Sequence, residues 1–522
     1  MANVAMPPTT PGAETSALPS RLWLDWSVVF PVSLILYAAT CAPDVLMSDS
    51  GVYHLRVALF PPTPAKYMVD DLVQVHPLYL LLAKPFTWLP IGTIPFRVNL
   101  ASAWFGAMAL ANVFASVRLL TGSRWAAVIG SLSVGLGHTF WAFSVIAECL
   151  TLAAACLTAE LLFLTIFART GRPRWFLAAA LINGLSISNH MMGGLCTPVY
   201  TVLALMWWRR GRLRGQDLWA GAGLWVVGAS PYLFIILRAV METGQVVRIL
   251  RSATTGTWPA AHFGIGLSLL GKVGAYLLLQ YPTLLILLAI VALWTRPLHE
   301  AYHPLKWTVF GVAGMQFVFA ARYPRPDQYS FFVPFYACVG IATGLGAWTV
   351  IKRWKAARWA GLLLALVPVA VYTVLPSAAR RLELKLFTRE LPYRDPYEFF
   401  LKPWRNGDDG VRRYAEELFR TLPKDAILFA DPTPAGALFY LQAVEGKRPD
   451  LRIVFMWDNL PLDSLLKPNI PSFGPRWVRP VYAVDTRARY APAAFIRDCR
   501  FVKEGIVYRV EPPDQWPPKP WM

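Results

Sequence analysis

The sequence predicts a mainly α-helical protein that crosses a membrane many times and carries a small α/β domain at its carboxyl end. Three observations predict this class. Of the 522 residues, 56% are hydrophobic and only 16% are charged. Apolar runs of about 20 residues recur, and each is long enough to cross about 30 Å of hydrocarbon as a helix. Beyond residue 377, short apolar strands alternate with helical patterns instead.

The first 23 residues are polar and rich in Pro and Thr, a composition typical of disordered segments. They lack the basic region, the short apolar core and the small-residue cleavage site of a removed signal peptide. We therefore expect residues 1–23 to be a disordered cytoplasmic segment. The apolar run that follows is expected to be a retained membrane anchor.

The net charge of +19 is carried by short basic loops between the apolar runs. A nucleic-acid-binding surface would gather these charges on one face, so we expect no nucleic-acid partner. The positive-inside rule assigns such loops to the cytoplasm. With one outward loop between successive basic loops, about eleven spans form a transmembrane domain over residues 24–376. The predicted spans are 25–46, 96–118, 125–143, 147–168, 174–188, 191–208, 217–237, 267–294, 305–321, 329–350 and 358–376.

Residues 47–95 are too numerous for a tight turn and too broken for a span. Their most apolar part, "VHPLYLLLAKPFTWL", is short and is interrupted by Pro77 and Pro85. Such segments lie in the membrane interface more often than they cross it. Treating this one as a span would also move every later basic loop to the outside. We therefore expect a large first outer loop.

The carboxyl-terminal pattern predicts a separate domain over residues 377–522. "DGVRRYAEELFRTL" and "PAGALFYLQAV" are helical patterns, whereas "DAILFA", "LRIVFMW", "PVYAVDT" and "GIVYRVE" are typical strands. This alternation predicts an α/β domain, which the topology places outside the cell membrane. It contains no glycine-rich phosphate loop. The pattern alone assigns it no role.

Polar and ionisable side chains gather at the predicted outward ends of the helices. In an apolar bundle such groups mark a functional site by default, because charge is costly in a membrane. They are Asp49, His76, Arg97, His138, Trp141, Glu148, Asn189, His190, Arg238, Arg248, Arg251, Arg322, Arg325, Asp327 and Gln328.

Six motifs occur in order between residues 45 and 455. They are "DSG", "HPLYLLLAKPFTWLPIGTIPFRVNLASA", "FWAFSVIAECLTL", "GLSISNHMM", "DQYSFFVPFYACVGIATGLG" and "LPKDAILFADPTPAGALFYLQAVEGKRPDLRIV". Together they resemble the protein O-mannosyltransferase-like family of multi-pass membrane proteins. The resemblance implies a GT-C glycosyltransferase fold. It also implies transfer of a sugar from a polyprenyl-phosphate carrier to an extracytoplasmic acceptor, with an essential acidic residue at the position of Asp49.

The chain departs from the family in the first outer loop. Val52 follows "DSG" where the family has an acidic residue, and "HPLYL" stands for the family's "HPPGYPL". An insertion, "FPPTPAKYMVDDLVQ", separates the two motifs. Because this loop shapes the donor and acceptor sites, the identity of the sugar does not carry over. An inactive relative is therefore an alternative.

Transfer from a phosphate-linked sugar requires a base more than an acid, because the lipid phosphate leaves as a stabilised anion. A carboxylate beside the acceptor takes its proton while the sugar carbon is attacked from the opposite face, with inversion. We assign this base to Asp49; the alternative is a solvated aspartate at a helix end. Glu148 is the predicted second acidic group, which orients hydroxyls; the alternative is a charge favoured by a helix N-terminus.

Arginine is suited to the donor phosphate because its guanidinium binds phosphate oxygens in pairs and stays charged. We expect Arg238 in this role, with Arg322 second; the alternative for both is contact with lipid head groups. The histidines have no compact metal-binding spacing, so no metal is expected. The residues expected to contact substrate are His76, Arg97, His138, Trp141, Asn189, His190, Asp327 and Gln328. Interfacial Trp belts and turn chemistry are the alternatives for Trp141 and Asn189.

The sequence thus favours an integral-membrane glycosyltransferase that moves a hexose such as mannose from a polyprenyl-phosphate carrier. The expected partners are membrane lipids, the lipid-linked sugar and a protein, lipid or glycan acceptor; no further cofactor is implied. The alternatives are a lipid or glycan transporter and a catalytically silent scaffold. Transporters often show repeats and polar groups at the membrane midplane, and neither pattern is evident here. The excess of Arg over Lys and the abundant Ala and Pro are typical of a GC-rich bacterial genome. We therefore expect the protein in a bacterial plasma (inner) membrane.

Overall fold

A computed structural model describes residues 18–60, 76–255, 267–323, 327–386, 389–456, 466 and 477–512. Helices make up most of these residues, and a small sheet lies near the carboxyl end. Of the segment predicted to be disordered, 1–23, residues 1–17 lie outside the described residues, whereas α1 already begins at Leu22; of the insertion 60–74, residues 61–74 lie outside them. The helices before residue 382 are α1 (Leu22–Thr40), α2 (Ser48–Leu59), α3 (Pro77–Ala83), α4 (Ile94–Thr121), α5 (Arg124–Gly135), α6 (His138–Ser144), α7 (Leu150–Thr170), α8 (Pro173–Asn189), α9 (Thr197–Arg209), α10 (Gly215–Thr243), α11 (Val246–Thr255), α12 (Leu267–Gln280), α13 (Ile286–Val291), α14 (His303–Arg322), α15 (Val333–Arg353) and α16 (Ala357–Arg381).

The multi-pass membrane class predicted from the sequence is confirmed. In the described part of the chain, seven helices are long and apolar enough to cross a membrane, or eight if α5 and α6, which meet at 73°, form one bent span. Helix α8 has 17 residues and α12 has 14. Both are shorter than the roughly 20 residues that cross a bilayer upright. The count of eleven spans therefore stays a prediction.

The centre of the bundle is formed by α4, α7 and α15, whose side chains are mostly buried. Close packing of α5 on α15 relies on glycine, because a methyl group on Gly130 would lie 2.7 Å from the carbonyl oxygen of Gly340. Helices α1, α10 and α16 lie at the periphery and leave many large apolar side chains exposed. Exposed apolar side chains on long helices are the surface expected to face lipid.

The carboxyl-terminal unit is built on a five-stranded sheet in the order β2-β1-β3-β5-β4. Strand β1 pairs in parallel with β2 and β3, whereas β5 pairs antiparallel with β3 and β4. The predicted α/β pattern is confirmed; β4 is the strand that was not predicted. The elements are α17 (Pro396–Leu401), α18 (Gly410–Thr421), β1 (Ile427–Ala430), α19 (Pro432–Ala443), β2 (Arg452–Phe455), β3 (Val481–Ala483), α20 (Ala493–Asp498), β4 (Arg500–Glu504) and β5 (Val507–Glu511).

This unit packs against the segments that follow α1. Val45, Met47 and Leu55 share one buried core with residues of α18, β1 and α19. The backbone N–H of Arg405 donates to the carbonyl of Thr40 over 2.8 Å. The end of α1 and the whole of α2 therefore lie between the helical bundle and the sheet. The exact domain boundary stays a prediction, since α16 continues past residue 377 to Arg381.

Candidate functional site

Helix α2 carries the "DSG" motif in its first turn. Ser48 adopts a left-handed backbone (φ 56°), a conformation that costs a non-glycine residue free energy and is found most often at functional sites. Asp49 follows it and is exposed. Tyr53 and Arg56 lie four and seven residues further along, so the three side chains share one face of the helix. The helix thus presents an acid, a phenol and a guanidinium on the same side.

Glu148 lies in the short connection between α6 and α7 and is half-buried. Its backbone N–H donates to Ser102 Oγ over 3.1 Å, and its carbonyl accepts from the same hydroxyl over 3.2 Å. Burial raises the pKa of Glu148 well above its usual range, and the nearby Asp49 and Asp327 raise it further. The three carboxyl groups therefore lie close together and are called the acidic cluster below.

Asp327 completes the acidic cluster from a distant part of the chain. It is half-buried and precedes the 3-10 turn Gln328–Phe332, where its carbonyl accepts from the N–H of Ser330 over 2.9 Å. The first turn of α2, the α6–α7 connection and the turn before α15 thus each contribute one acid. The charges of Asp49 and Asp327 both act on Glu148, because each raises the pKa of that carboxyl group.

Arg56 is the functional candidate that the sequence analysis missed. Its side chain is 6% exposed, and within the described residues it makes no hydrogen bond and no ion pair. Arg56 helps to lower the pKa of His76, which places the guanidinium near that ring. A buried guanidinium without partners is costly, and an anionic ligand would satisfy it. The signal in the sequence was its position two helical turns after Asp49.

Two histidines from different segments stack beside Tyr53. The rings of His76 and His190 lie 5.1 Å apart at 21°, and His76 Nδ1 lies 2.7 Å from the carbonyl oxygen of Asn189. Burial, together with Arg56, lowers the pKa of His76 to about 4. Burial and His76 lower the pKa of His190 to about 3. Both rings are therefore neutral near pH 7, and they serve hydrogen bonding rather than charge.

Asn189 links this histidine pair to the acidic cluster. Its side-chain amide donates to the carbonyl of Cys149 over 2.9 Å, and its own carbonyl faces His76. The Oδ1 atom of Asn189 is buried without a hydrogen-bond partner in the described structure. The three predicted contacts His76, Asn189 and His190 are thus brought together next to Glu148.

Four other predicted substrate contacts bond to the protein itself. Arg97 donates to the carbonyls of Thr87, Ile91 and Gly92, which closes the turn before α4. His138 Nε2 lies 2.6 Å from the Phe400 carbonyl oxygen, and Trp141 donates to Thr40 Oγ1. Gln328 donates to the carbonyls of Ala320 and Ala321. The structure gives these four side chains anchoring roles. Their contact with substrate stays a prediction.

The arginines predicted to hold a phosphate are placed differently from Arg56. Arg238 is mostly exposed on α10 and pairs with Glu242, one turn away, over 2.7 Å. Arg322 ends α14 and is half-buried. Arg248 donates to Gln245 on an exposed surface, and Arg325 lies outside the described residues. The phosphate role of Arg238 and Arg322 stays a prediction. In the described residues no group of three metal-binding side chains is found.

Comparisons with known proteins agree with this architecture. Residues 76–212 match the family model described as the N-terminal domain of protein O-mannosyl-transferase TMEM260. The mouse protein O-mannosyl-transferase TMEM260 is 24% identical over 438 residues, which cover 77% of this chain and 60% of the mouse protein. The chain thus spans about 60% of the length of this curated relative.

Solved structures show the same fold. ArnT from Cupriavidus metallidurans, in its apo state, superposes with a TM-score of 0.58 at 14% identity, covering 94% of this chain and 98% of ArnT. ArnT bound to undecaprenyl phosphate superposes with a TM-score of 0.56 over the same shares. The fold of this chain is therefore that of ArnT. The resemblance to the protein O-mannosyltransferase-like family of multi-pass membrane proteins is confirmed.

Proposed function

We propose that this protein is an integral-membrane glycosyltransferase that moves a sugar from a polyprenyl-phosphate carrier to an acceptor hydroxyl, with inversion and with Asp49 as the base. One observation carries the proposal: α2 presents on one face Asp49, a member of the acidic cluster, and Arg56, which is buried and has no partner among the described residues. A carboxylate can take the proton of the acceptor hydroxyl, and a guanidinium can bind the donor phosphate. The matched relative's name, a protein O-mannosyl-transferase, and the undecaprenyl phosphate bound by ArnT support this reading.

The surroundings of Glu148 and Asp49 give these two carboxyl groups different roles. Because burial and neighbouring acids raise the pKa of Glu148, its protonated form is favoured, and that form can donate a hydrogen bond. Asp49 is exposed and accepts the proton of the acceptor hydroxyl. The acceptor oxygen then forms a bond to the anomeric carbon while the bond from that carbon to the phosphate oxygen breaks. Positioned base catalysis of this kind contributes roughly 10²–10⁴-fold.

The leaving group is the lipid phosphate, and Arg56 is its proposed partner in place of Arg238. Arg56 is 6% exposed and has no hydrogen bond or ion pair within the described residues, so it can stabilise the developing charge without first breaking a bond within the protein. Neutral His76 and His190, with Asn189, supply hydrogen bonds to sugar hydroxyls. We further propose a hexose such as mannose as the sugar, a protein, lipid or glycan acceptor, and an extracytoplasmic site in a plasma membrane.

The test supplies radiolabelled polyprenyl-phosphate mannose to membranes that contain the purified protein and the acceptors of the source cells. We expect Asp49→Asn to reduce label transfer by about 10²-fold or more. Arg56→Gln should raise the donor KM. Arg238→Gln tests the prediction, made from the sequence, that Arg238 binds the donor phosphate. Transfer at the wild-type rate by Asp49→Asn would refute the role of the base. Lipid movement in liposomes without any transfer would favour the transporter instead.

A further inference from the structure

The "DSG" glycine lets two helices touch. Gly51 on α2 faces Gly436 on α19, in the carboxyl-terminal unit. A methyl group on Gly51 would lie 2.9 Å from the backbone nitrogen of Ala437 and 2.5 Å from the carbonyl oxygen of Leu46, and one on Gly436 would lie 2.6 Å from the backbone nitrogen of Val52. All three obstacles are backbone atoms, which cannot rotate away. Any larger residue must therefore push α2 and α19 apart.

Polar contacts hold the same crossing at both ends. Arg412 on α18 bonds the carboxylate of Asp44 just before α2, and it bonds Glu445 just after α19. Asp44 and Glu445 thus share one guanidinium, in a half-buried network that also includes Lys447. A charge network that joins two segments so far apart in sequence fixes their relative position more firmly than isolated surface pairs do.

The opposite side of α2 is tied to the helical bundle. His54 Nε2 lies 2.9 Å from Asn99 Oδ1 on α4, and the Asn99 amide donates to the carbonyl of Ala42. The His54 ring also meets Tyr440 of α19 edge-on, with centroids 6.3 Å apart. Helix α2 is therefore held between α4 and α19, with His54 in contact with both.

Helix α2 has 12 residues, a length that is marginal for an isolated helix in water. Its position therefore depends on what packs against it. Asp49 lies two residues before the glycine crossing, and Arg56 lies five residues after it. A shift of α2 away from α19 moves both groups relative to Glu148 and Asp327, which belong to the bundle.

We propose that the carboxyl-terminal unit acts as a positioning element for Asp49 and Arg56, through the Gly51–Gly436 crossing and the Arg412 network. This proposal rests on the glycosyltransferase function proposed above. It assigns Gly436 and Arg412 as positioning residues that touch no substrate. A displacement near 1 Å costs about 10²-fold in rate, so a methyl group at Gly436 is expected to lower kcat by that order.

The experiment compares Gly436→Ala with Gly407→Ala, a glycine of the same unit whose added methyl group would meet nothing within 4 Å. Label transfer from polyprenyl-phosphate mannose is expressed per mole of folded, monodisperse protein. Hydrogen exchange is measured over residues 48–59 and over α7. We expect Gly436→Ala to lose about 10²-fold in kcat and to exchange faster in α2 alone. Gly407→Ala should match wild type.

Arg412→Ala and Arg412→Lys keep the test decisive if Gly436→Ala does not fold. Lysine keeps the charge toward Asp44 and Glu445 but not the paired geometry, so we expect partial rescue of kcat. Wild-type kcat and exchange in folded Gly436→Ala, or in Arg412→Ala, would overturn the positioning role while Asp49→Asn stays inactive. An active Asp49→Asn would instead refute the proposed function, whatever the crossing variants do.

Discussion

Two equally buried arginines offer a direct test of the phosphate site. Arg56 and Arg389 are each 6% exposed. Arg389 bonds two carboxylates, Asp431 and Asp485, each over 2.9 Å. Arg56 has no such partner in the described part of the chain. Replacing each with methionine, which has a similar length and no charge, separates an arginine that stabilises the fold from one that awaits a ligand.

The expected effects on stability have different sizes. Breaking a buried ion pair from one side leaves a charge without a partner and costs about 3–5 kcal/mol. Arg389→Met should therefore lower the thermal stability of the protein strongly. Arg56→Met removes a buried charge that lacks a partner already, so stability should stay the same or rise.

The expected effects on ligand binding are reversed. A hydrogen bond to a charged group contributes about 1.5–3 kcal/mol, and losing one weakens the Kd by about 10- to 100-fold. Undecaprenyl phosphate at 100 times its Kd stabilises a protein by about 2.7 kcal/mol. We expect this thermal shift in wild type and in a folded Arg389→Met, and its reduction to about 0.4–1.4 kcal/mol in Arg56→Met.

The assay is thermal unfolding in detergent micelles with and without undecaprenyl phosphate, with undecaprenol as the control for the lipid tail. The reasoning is wrong if Arg56→Met unfolds as early as Arg389→Met, because Arg56 would then have a structural partner. It is also wrong if Arg56→Met keeps the full shift with the phosphate and none with the alcohol, because another cation would then hold the phosphate.

Two further predictions concern Glu148 and Arg97. The pKa of Glu148 is raised in the folded protein, so its protonated form stabilises the fold and is lost as the pH rises through the folded-state pKa. The transfer rate and the thermal stability should therefore fall at alkaline pH in wild type but not in Glu148→Gln. An equal fall in both proteins would contradict this. Arg97→Ala removes hydrogen bonds to three carbonyls of the turn before α4. We expect this change to cost about 1–3 kcal/mol of stability, measured by thermal unfolding, and to leave the donor KM unchanged. A raised donor KM would instead indicate that Arg97 contacts the substrate.

Much of the acidic cluster could be predicted from the sequence. Asp49, Glu148 and Asp327 each follow or precede an apolar run at an end assigned to the same side, so charge-based topology was sufficient to group them. Topology also placed His76 and His190 on the same side, but it could not predict that their rings stack. Their contact depends on how α3 and α8 pack, and periodicity carries no information on that distance.

The phosphate assignment shows what the sequence could not provide. Arg238 was chosen because it is an arginine at a predicted outward end, yet Glu242 four residues later is an ordinary helical partner and was visible in the sequence. Arg56 was inconspicuous because it lies in a short, mixed segment. Its burial and its position near His76 depend on tertiary packing, which the sequence pattern does not show.

The same packing bears on the departure at Val52. The family's acidic residue would stand there, directly after "DSG", and its loss raised the alternative of an inactive relative. In the structure Val52 contacts α19, and its Cγ2 would lie 3.0 Å from a methyl group on Gly436. The substitution therefore falls on the helix crossing, whereas Asp49, Glu148, Asp327 and Arg56 are all present. A valine there changes how α2 is held and removes none of the groups that the proposed transfer uses, so we expect the wild-type protein to be active.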